Sequence, residues 1–231
     1  FEYIYKNYYI FNINMNYNVL KKIFPLDNCK NIKKLKYDSE GLWSISHPDI
    51  ADDLSKKIKL FEKSGTKINT IVDLTAGLGG NTLSFAKHFD KVIAIEYDNE
   101  RFNYLKNNVD SYDYKNISIY QGNAINLINK FNEQIDAIFI DPPWGGPNYK
   151  EEDKIDIKLD NLYLDNVCKL LYNYSYKNIK IKMIILKLPY NYDYNDIIYN
   201  CKEFTKLHIC YKVGNINYLI LLISSVIEQE I

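Results

Sequence analysis

"TIVDLTAGLGGNT", Thr70 to Thr82, is a short β-branched run that ends on an acid and then passes through three glycines. Three β-branched residues in a row, with Leu74 beyond the acid, read as a buried strand, and the glycines let the backbone turn tightly and approach a ligand. A helical stretch follows from 80 to 89. The same unit then repeats with different residues. Apolar runs recur at 91–96 ("KVIAIE"), 117–120, 136–141 ("DAIFID"), 182–188 ("KMIILKL"), 207–213 and 218–224. Amphipathic stretches at 99–110, 123–131, about 160–173 and about 193–203 separate them. Strands alternating with helices predict a mostly parallel, doubly wound α/β sheet of seven strands. The last two runs are joined only by "GNIN", too short for a crossover, so they are expected to pair as an antiparallel hairpin.

Residues 1–58 are read as an N-terminal extension, part helical and part irregular, that contributes to the substrate site. Residues 59–231 form the main domain. Pro25 interrupts any helix near the start, and Ile50, Leu54 and Ile58 have helical spacing. The chain opens on Phe1 rather than Met and is taken as an excerpt, so the lack of a targeting signal carries little weight. The run from Tyr218 to Ile223 is too short to span a bilayer, and no membrane association is expected.

Twenty-nine basic and 29 acidic side chains leave a formal net charge of zero. A protein that grips a long nucleic acid through many phosphates is usually basic, so a nucleic-acid substrate here would be short or held at one end. Cys29, Cys168, Cys201 and Cys210 form no C-x-x-C pair, which argues against a zinc site and for reduced thiols. No metal is expected. The 22 tyrosines follow the general excess of Asn, Lys, Ile and Tyr, so a single Tyr or Asn is weak evidence.

The glycine loop lacks the Gly-Lys-Ser/Thr of a phosphate-binding P-loop. Asp73 at the strand end would repel a pyrophosphate but suits a cationic amino acid, and S-adenosylmethionine carries both an ammonium and a sulfonium. The second strand ends at Glu96, where a carboxylate commonly accepts ribose hydroxyls. Tyr97 follows and is placed to pack on adenine, and Asn123 to read its edge. With Thr75, Gly77, Gly79, Asn81 and Thr82 from the loop, these are the expected cofactor residues. Taken alone, the glycines would need no more than a tight turn, and Glu96 could be a solvated strand end.

The fourth run leads into "DPPWGGPNY" (141–149). An exocyclic amine conjugated to its ring is a poor nucleophile. Acceptors on its protons, Asp141 or a carbonyl of the stiff Pro142-Pro143 segment, favour the pyramidal nitrogen whose lone pair attacks a methyl group. Trp144 offers a flat π-surface for a base, with a further cation–π gain of about 0.5–2 kcal/mol if the base is charged. Asp141, Pro142 and Trp144 are the expected catalytic residues. The plainer reading makes Trp144 core, Asp141 a cap and the prolines a loop brace.

The string resembles the P-P-W-G-G-P-D/E-Y of the trimethylguanosine synthase family, enzymes that methylate N2 of a 7-methylguanosine RNA cap. "EGLWSIS" (40–46), "VIAIEYD" (92–98), "KNN" (106–108) and "LPYN" (188–191) resemble other family motifs in the same order, so the likeness covers about residues 35–224. It implies a class I, Rossmann-like methyltransferase using S-adenosylmethionine, intracellular (nuclear or cytoplasmic), acting on capped RNA as a monomer. It places Trp144 and Pro143 on the 7-methylguanine, with Asn108 and Ser44 beside it. Lys36, Lys21, Lys22 or Lys158 would meet the cap phosphates. Two departures stand out: the family has serine where Asp141 stands, which is closer to adenine N6-methyltransferases, and an arginine on the cap phosphates where Tyr190 stands. Adenine N6 or ribosomal guanine N2 methylation, or a module that binds without turnover, are the competing readings.

Overall fold

The computed structural model describes residues 17–177 and 181–223. The described part of the N-terminal segment opens in helix α1 (17–23), continues through 3-10 turns at Leu26–Asn28 and Ile32–Lys34, and reaches α2 (Gly41–Ser44) and α3 (Pro48–Leu60). Then come β1 (Thr70–Asp73), α4 (Gly80–His88), β2 (Lys91–Glu96), α5 (Asn99–Asp110), β3 (Ile117–Gln121), α6 (Ala124–Ile128) and β4 (Ala137–Ile140). A two-stranded hairpin, β5 (Lys158–Leu159) and β6 (Leu162–Tyr163), precedes α7 (Leu164–Lys177). Last among the described residues come β7 (Met183–Pro189), α8 (Asn195–Asn200), β8 (Thr205–Val213) and β9 (Ile216–Ile223).

The seven-stranded sheet has the order β3-β2-β1-β4-β7-β9-β8. Strands β1 to β4 and β7 run parallel, and β9 pairs antiparallel with both β7 and β8. Because successive side chains point to opposite faces, each central strand feeds two cores. Val72, Ile138, Ile184 and Leu186 face α6 and α7, whereas Ile71, Phe139, Ile185 and Ile220 face α3 and α4. Both faces being covered explains why β1, β4 and β7 read as continuous apolar runs. The strand order reverses between β1 and β4, and a crevice opens there at the carboxyl ends of the strands.

The boundary expected after residue 58 falls inside α3, whose Leu54 and Ile58 are buried in the same core as the sheet. Farther upstream, Leu20, Ile23, Phe24 and Leu35 form a smaller cluster with Leu78, Leu83 and Tyr112. The helix expected from about 160 starts at Leu164 instead. Asp160 and Asn161 have φ of 52° and 63°, the paired left-handed conformation of a tight hairpin turn, and they close β5 on β6. Among the described residues no helix is long and apolar enough to cross a membrane.

Candidate active site

The crevice at the reversal point encloses about 880 Å³, toward the upper end of the ~300–1,000 Å³ typical of ligand sites. One wall is the loop after β1. Gly77 and Gly79 take φ of 54° and 96°, which a side chain would strain. No protein atom lies within 4 Å of where a Gly77 Cβ would stand, so bare backbone lines the crevice there. Glu96, at the end of β2, accepts the Gly77 N–H at 2.7 Å and the Asp98 N–H at 2.9 Å. Burial raises its pKa, and these two bonds oppose the rise. Tyr97 beside it is 73% exposed at the mouth, a free aromatic face. Asn123 spends its carbonyl capping α6 through the Asn126 N–H, which leaves its NH₂ group for the crevice.

Asp73 is placed differently from the expectation. It is 1% exposed and does not line the crevice. Its carboxylate accepts the Thr82 hydroxyl at 2.7 Å and the Thr75 N–H at 3.4 Å, so it latches the loop from behind. Desolvation pushes its pKa up to about 7, against the pull of those two bonds and with a further push from Asp141 and Glu96. Thr82 and Gly79 likewise lie off the wall and hold the loop's shape, whereas Thr75, Gly77 and Asn81 stand on the wall. The Thr75 hydroxyl accepts the Asp141 N–H at 2.7 Å and so ties the first loop to the second.

The opposite wall is built by Asp141, Pro142, Pro143 and Trp144, which follow β4. One Asp141 oxygen, Oδ2, accepts a 2.6 Å bond from Lys187 Nζ, and Oδ1 has no hydrogen-bond partner among the described residues. Burial raises the Asp141 pKa, with Lys187 pulling it back. Trp144 packs partly on the core and meets Tyr149 edge-on at 5.1 Å. Lys187 Nζ lies 5.4 Å from its ring centroid. Its indole N–H is buried without a partner among the described residues.

The roof is the segment 36–47. Asn108 is fully buried; its Oδ1 accepts the Lys36 N–H at 2.7 Å, and its amide donates to the carbonyls of Lys36 (3.0 Å) and Leu78 (2.9 Å). All its bonding groups face protein, so Asn108 anchors the roof to the glycine loop and does not meet a base. Lys36 contributes backbone to that anchor, and its side chain does not line the crevice. Tyr190 is also outside the wall, its hydroxyl donating to the Lys150 carbonyl. Ser44 does line it, as do Trp43, Lys150 and Lys158. Arg101 on α5 clamps the roof through Asp38 and Glu40.

Sequence reasoning missed Lys187 and Ser46. Lys187 is 4% exposed in the all-buried β7 and donates to Ser46 Oγ at 2.9 Å as well as to Asp141. Its signal was a lone lysine inside "MIILKLP", since an unpaired lysine is almost never fully buried. Among the described residues, no cluster of His, Cys, Asp or Glu is arranged to hold a metal.

A sheet of this order, with a bare glycine loop and a ribose-type carboxylate on one wall and an acid-Pro-Pro-aromatic turn on the other, is the class I methyltransferase fold with a crevice suited to S-adenosylmethionine. The chain belongs to the RNA cap guanine-N2 methyltransferase family, whose model matches residues 68–224. An uncharacterized protein of Acanthamoeba polyphaga mimivirus is 36% identical over 181 residues, 78% of this chain and 64% of that protein. Trimethylguanosine synthase of Saccharomyces cerevisiae is 29% identical over 167 residues, 70% of this chain and 50% of the yeast protein. The chain thus spans half to two thirds of these relatives' length. In three dimensions it resembles the precorrin-6y C5,15-methyltransferase of Geobacter metallireducens (TM-score 0.56, 12% identity, 87% of this chain and 100% of that one). It also resembles a 16S rRNA N2 methyltransferase of Thermus thermophilus solved with AdoMet and guanosine (TM-score 0.55, 19% identity, 79% and 45%). At these identities the likeness speaks for the fold.

Proposed function

We propose that this chain methylates the exocyclic N2 of a 7-methylguanosine RNA cap. The observation that carries the reading is the convergence, on one crevice, of the Gly77 loop and Glu96 with Asp141-Pro142-Pro143-Trp144. The residues present fit the donor. Bare loop backbone from Thr75 to Gly77 would take its amino-acid end, Glu96 its ribose, and Tyr97 with the Asn123 amide its adenine. When bound, S-adenosylmethionine supplies a methyl group on a sulfonium, whose S–C bond breaks with the electron pair left on sulfur.

The chain's own residues address the acceptor. Trp144 stacks the base against the wall, and Asp141 Oδ1 accepts a hydrogen bond from the amine, directing the nitrogen lone pair away from the ring. As the N–C bond forms, the amine sheds a proton to Oδ1 and from there to water. The roof over 36–47 excludes solvent, and fixed positioning supplies much of the acceleration. Lys150 and Lys158 line the same crevice and offer positive charge to a cap's phosphates. A cap is an end group, which suits a chain of zero net charge. The protein would work in whichever compartment, nucleus or cytoplasm, holds its capped RNA.

The test is mass analysis of 7-methylguanosine-capped and guanosine-capped dinucleotides after incubation with donor. The first should gain one or two methyl groups and the second far less; equal transfer would refute the role of the ring charge. In Trp144→Ala, cap affinity should fall by about 1–3 kcal/mol, the worth of one stacked base, with donor affinity unchanged. A second reading is favoured by Lys187, whose charge already lies beside the Trp144 ring: a neutral adenine or ribosomal guanine as acceptor. Methylation of uncapped oligonucleotides would decide for it.

A further inference from the structure

The fold supplies Asp141 with a partner that the local motif does not contain. Lys187 reaches it from β7, 46 residues away in sequence. The contact is one link of a chain across the crevice floor: Asn81 Nδ2 donates to Ser46 Oγ at 2.9 Å, Lys187 Nζ donates to the same Ser46 oxygen at 2.9 Å, and Lys187 Nζ donates to Asp141 Oδ2 at 2.6 Å. Donor loop, roof, strand β7 and acceptor loop are thereby joined by three hydrogen bonds.

We propose that Lys187 is a positioning residue for methyl transfer: it holds Asp141 ionised and locks its Oδ2, so that Oδ1 alone is presented to the exocyclic amine. This rests on the methyl-transfer reading above and deepens it. A carboxylate buried to this depth needs a counter-charge, because an uncompensated buried charge protonates instead. A protonated Asp141 could no longer take the amine proton. The other groups facing Asp141 cannot supply the positive charge: Asp73 at the end of β1 is acidic, and the Tyr218 side chain on β9 is a neutral phenol. With both partners charged, the pair is neutral as a whole, so Trp144 remains able to receive a cationic ring even with Lys187 at 5.4 Å. The network also explains why the roof is anchored at Ser46, since the same ammonium that orients the acceptor holds the roof over it.

The first readout needs no substrate. Carboxyl carbon NMR of the Asp-labelled chain, with the Asp141 signal assigned by its loss in Asp141→Asn, follows that carboxyl through a pH titration. In Lys187→Met its midpoint should rise by at least about one pH unit, and in Lys187→Arg it should stay near that of the wild type. An unmoved midpoint in Lys187→Met overturns the proposal. The second readout is the pH profile of kcat/KM on the methylated substrate. Its acidic limb should move upward with the midpoint and kcat should fall at least tenfold, while donor affinity stays within twofold. Parallel loss of donor binding and turnover would show that Lys187 only supports the fold, and would also overturn it. If Lys187→Met does not fold, Lys187→Gln removes the charge while keeping a donor for Ser46, and the same outcomes apply. A wild type that leaves capped dinucleotide unmethylated sinks the cap reading alone, because the Asp141 midpoint still decides the role of Lys187.

Discussion

Replacing Asp73 by Asn should make stability less sensitive to pH, and the size of the effect follows from where the carboxyl sits. Its pKa is raised from 3.8 to about 7, chiefly by burial behind the glycine loop. The folded state therefore keeps this proton at pH values where the unfolded chain has released it. Below pH 3.8 both states are protonated and no stability is lost. Between 3.8 and about 7 the fold weakens by about 1.4 kcal/mol per pH unit, to a total of about 4 kcal/mol. Urea melts of wild type and Asp73→Asn across this range isolate the effect, because the remaining carboxyls are common to both proteins. That control matters, since Asp52, Glu62 and Asp136 have lowered pKa values and tilt the curve the other way. At low pH the variant should be the weaker by about 1 kcal/mol, the loss of a good acceptor for Thr82. From about pH 5 to about pH 8 the wild type should lose about 3 kcal/mol relative to it, so the order reverses. A difference that stays flat within about 0.5 kcal/mol would refute the reasoning. It would mean that Asp73 is ionised throughout and free to meet a cationic ligand, as the sequence alone suggests.

Two substitutions test the roof. Asn108→Ala removes three hydrogen bonds of a fully buried amide and orphans backbone groups of Lys36 and Leu78, which should lower stability by about 2–3 kcal/mol in thermal or urea melts. It should also weaken substrate binding although the side chain touches no ligand; an unchanged melting curve would contradict the anchoring role. Gly80→Ala would place a Cβ 2.7 Å from Ile45 Cγ1 and 2.9 Å from the Ser46 carbonyl oxygen. Something must shift, at about 1–3 kcal/mol for overpacking, and calorimetry should show weaker donor binding because the roof is pushed off the loop.

The doubly wound sheet was legible because alternation between apolar runs and amphipathic stretches is a local property. Residues 91–96 and 99–110 were bounded correctly from spacing alone. The hairpin at 158–163 was not, since "LDNL" looks like the start of the helix behind it until two left-handed residues are seen. Glu96, Tyr97, Asp141 and Trp144 could be placed on one crevice because they lie at or just after the ends of β2 and β4, and strand ends near a reversal point share a crevice. Asp73 ends a strand too, yet its carboxylate is spent on Thr82, a nine-residue return through α4 that strand counting does not register. Asn108 was misassigned for a related reason. Its place on α5 shows nothing of a roof arriving from 72 residues upstream.

By itself, the sequence determined the fold class, the two walls of the site and the chemistry each wall suits. Those follow from periodicity and from residue types at strand ends, which act over a few residues. Only the tertiary structure decided which polar groups are free. Asp73, Asn108 and one oxygen of Asp141 are already bonded, Asp141 Oδ1 has no partner among the described residues, and Lys187 places a positive charge beside Asp141. A buried charge or amide is defined by its partner. Here the partners come from distant strands and from a roof folded across them.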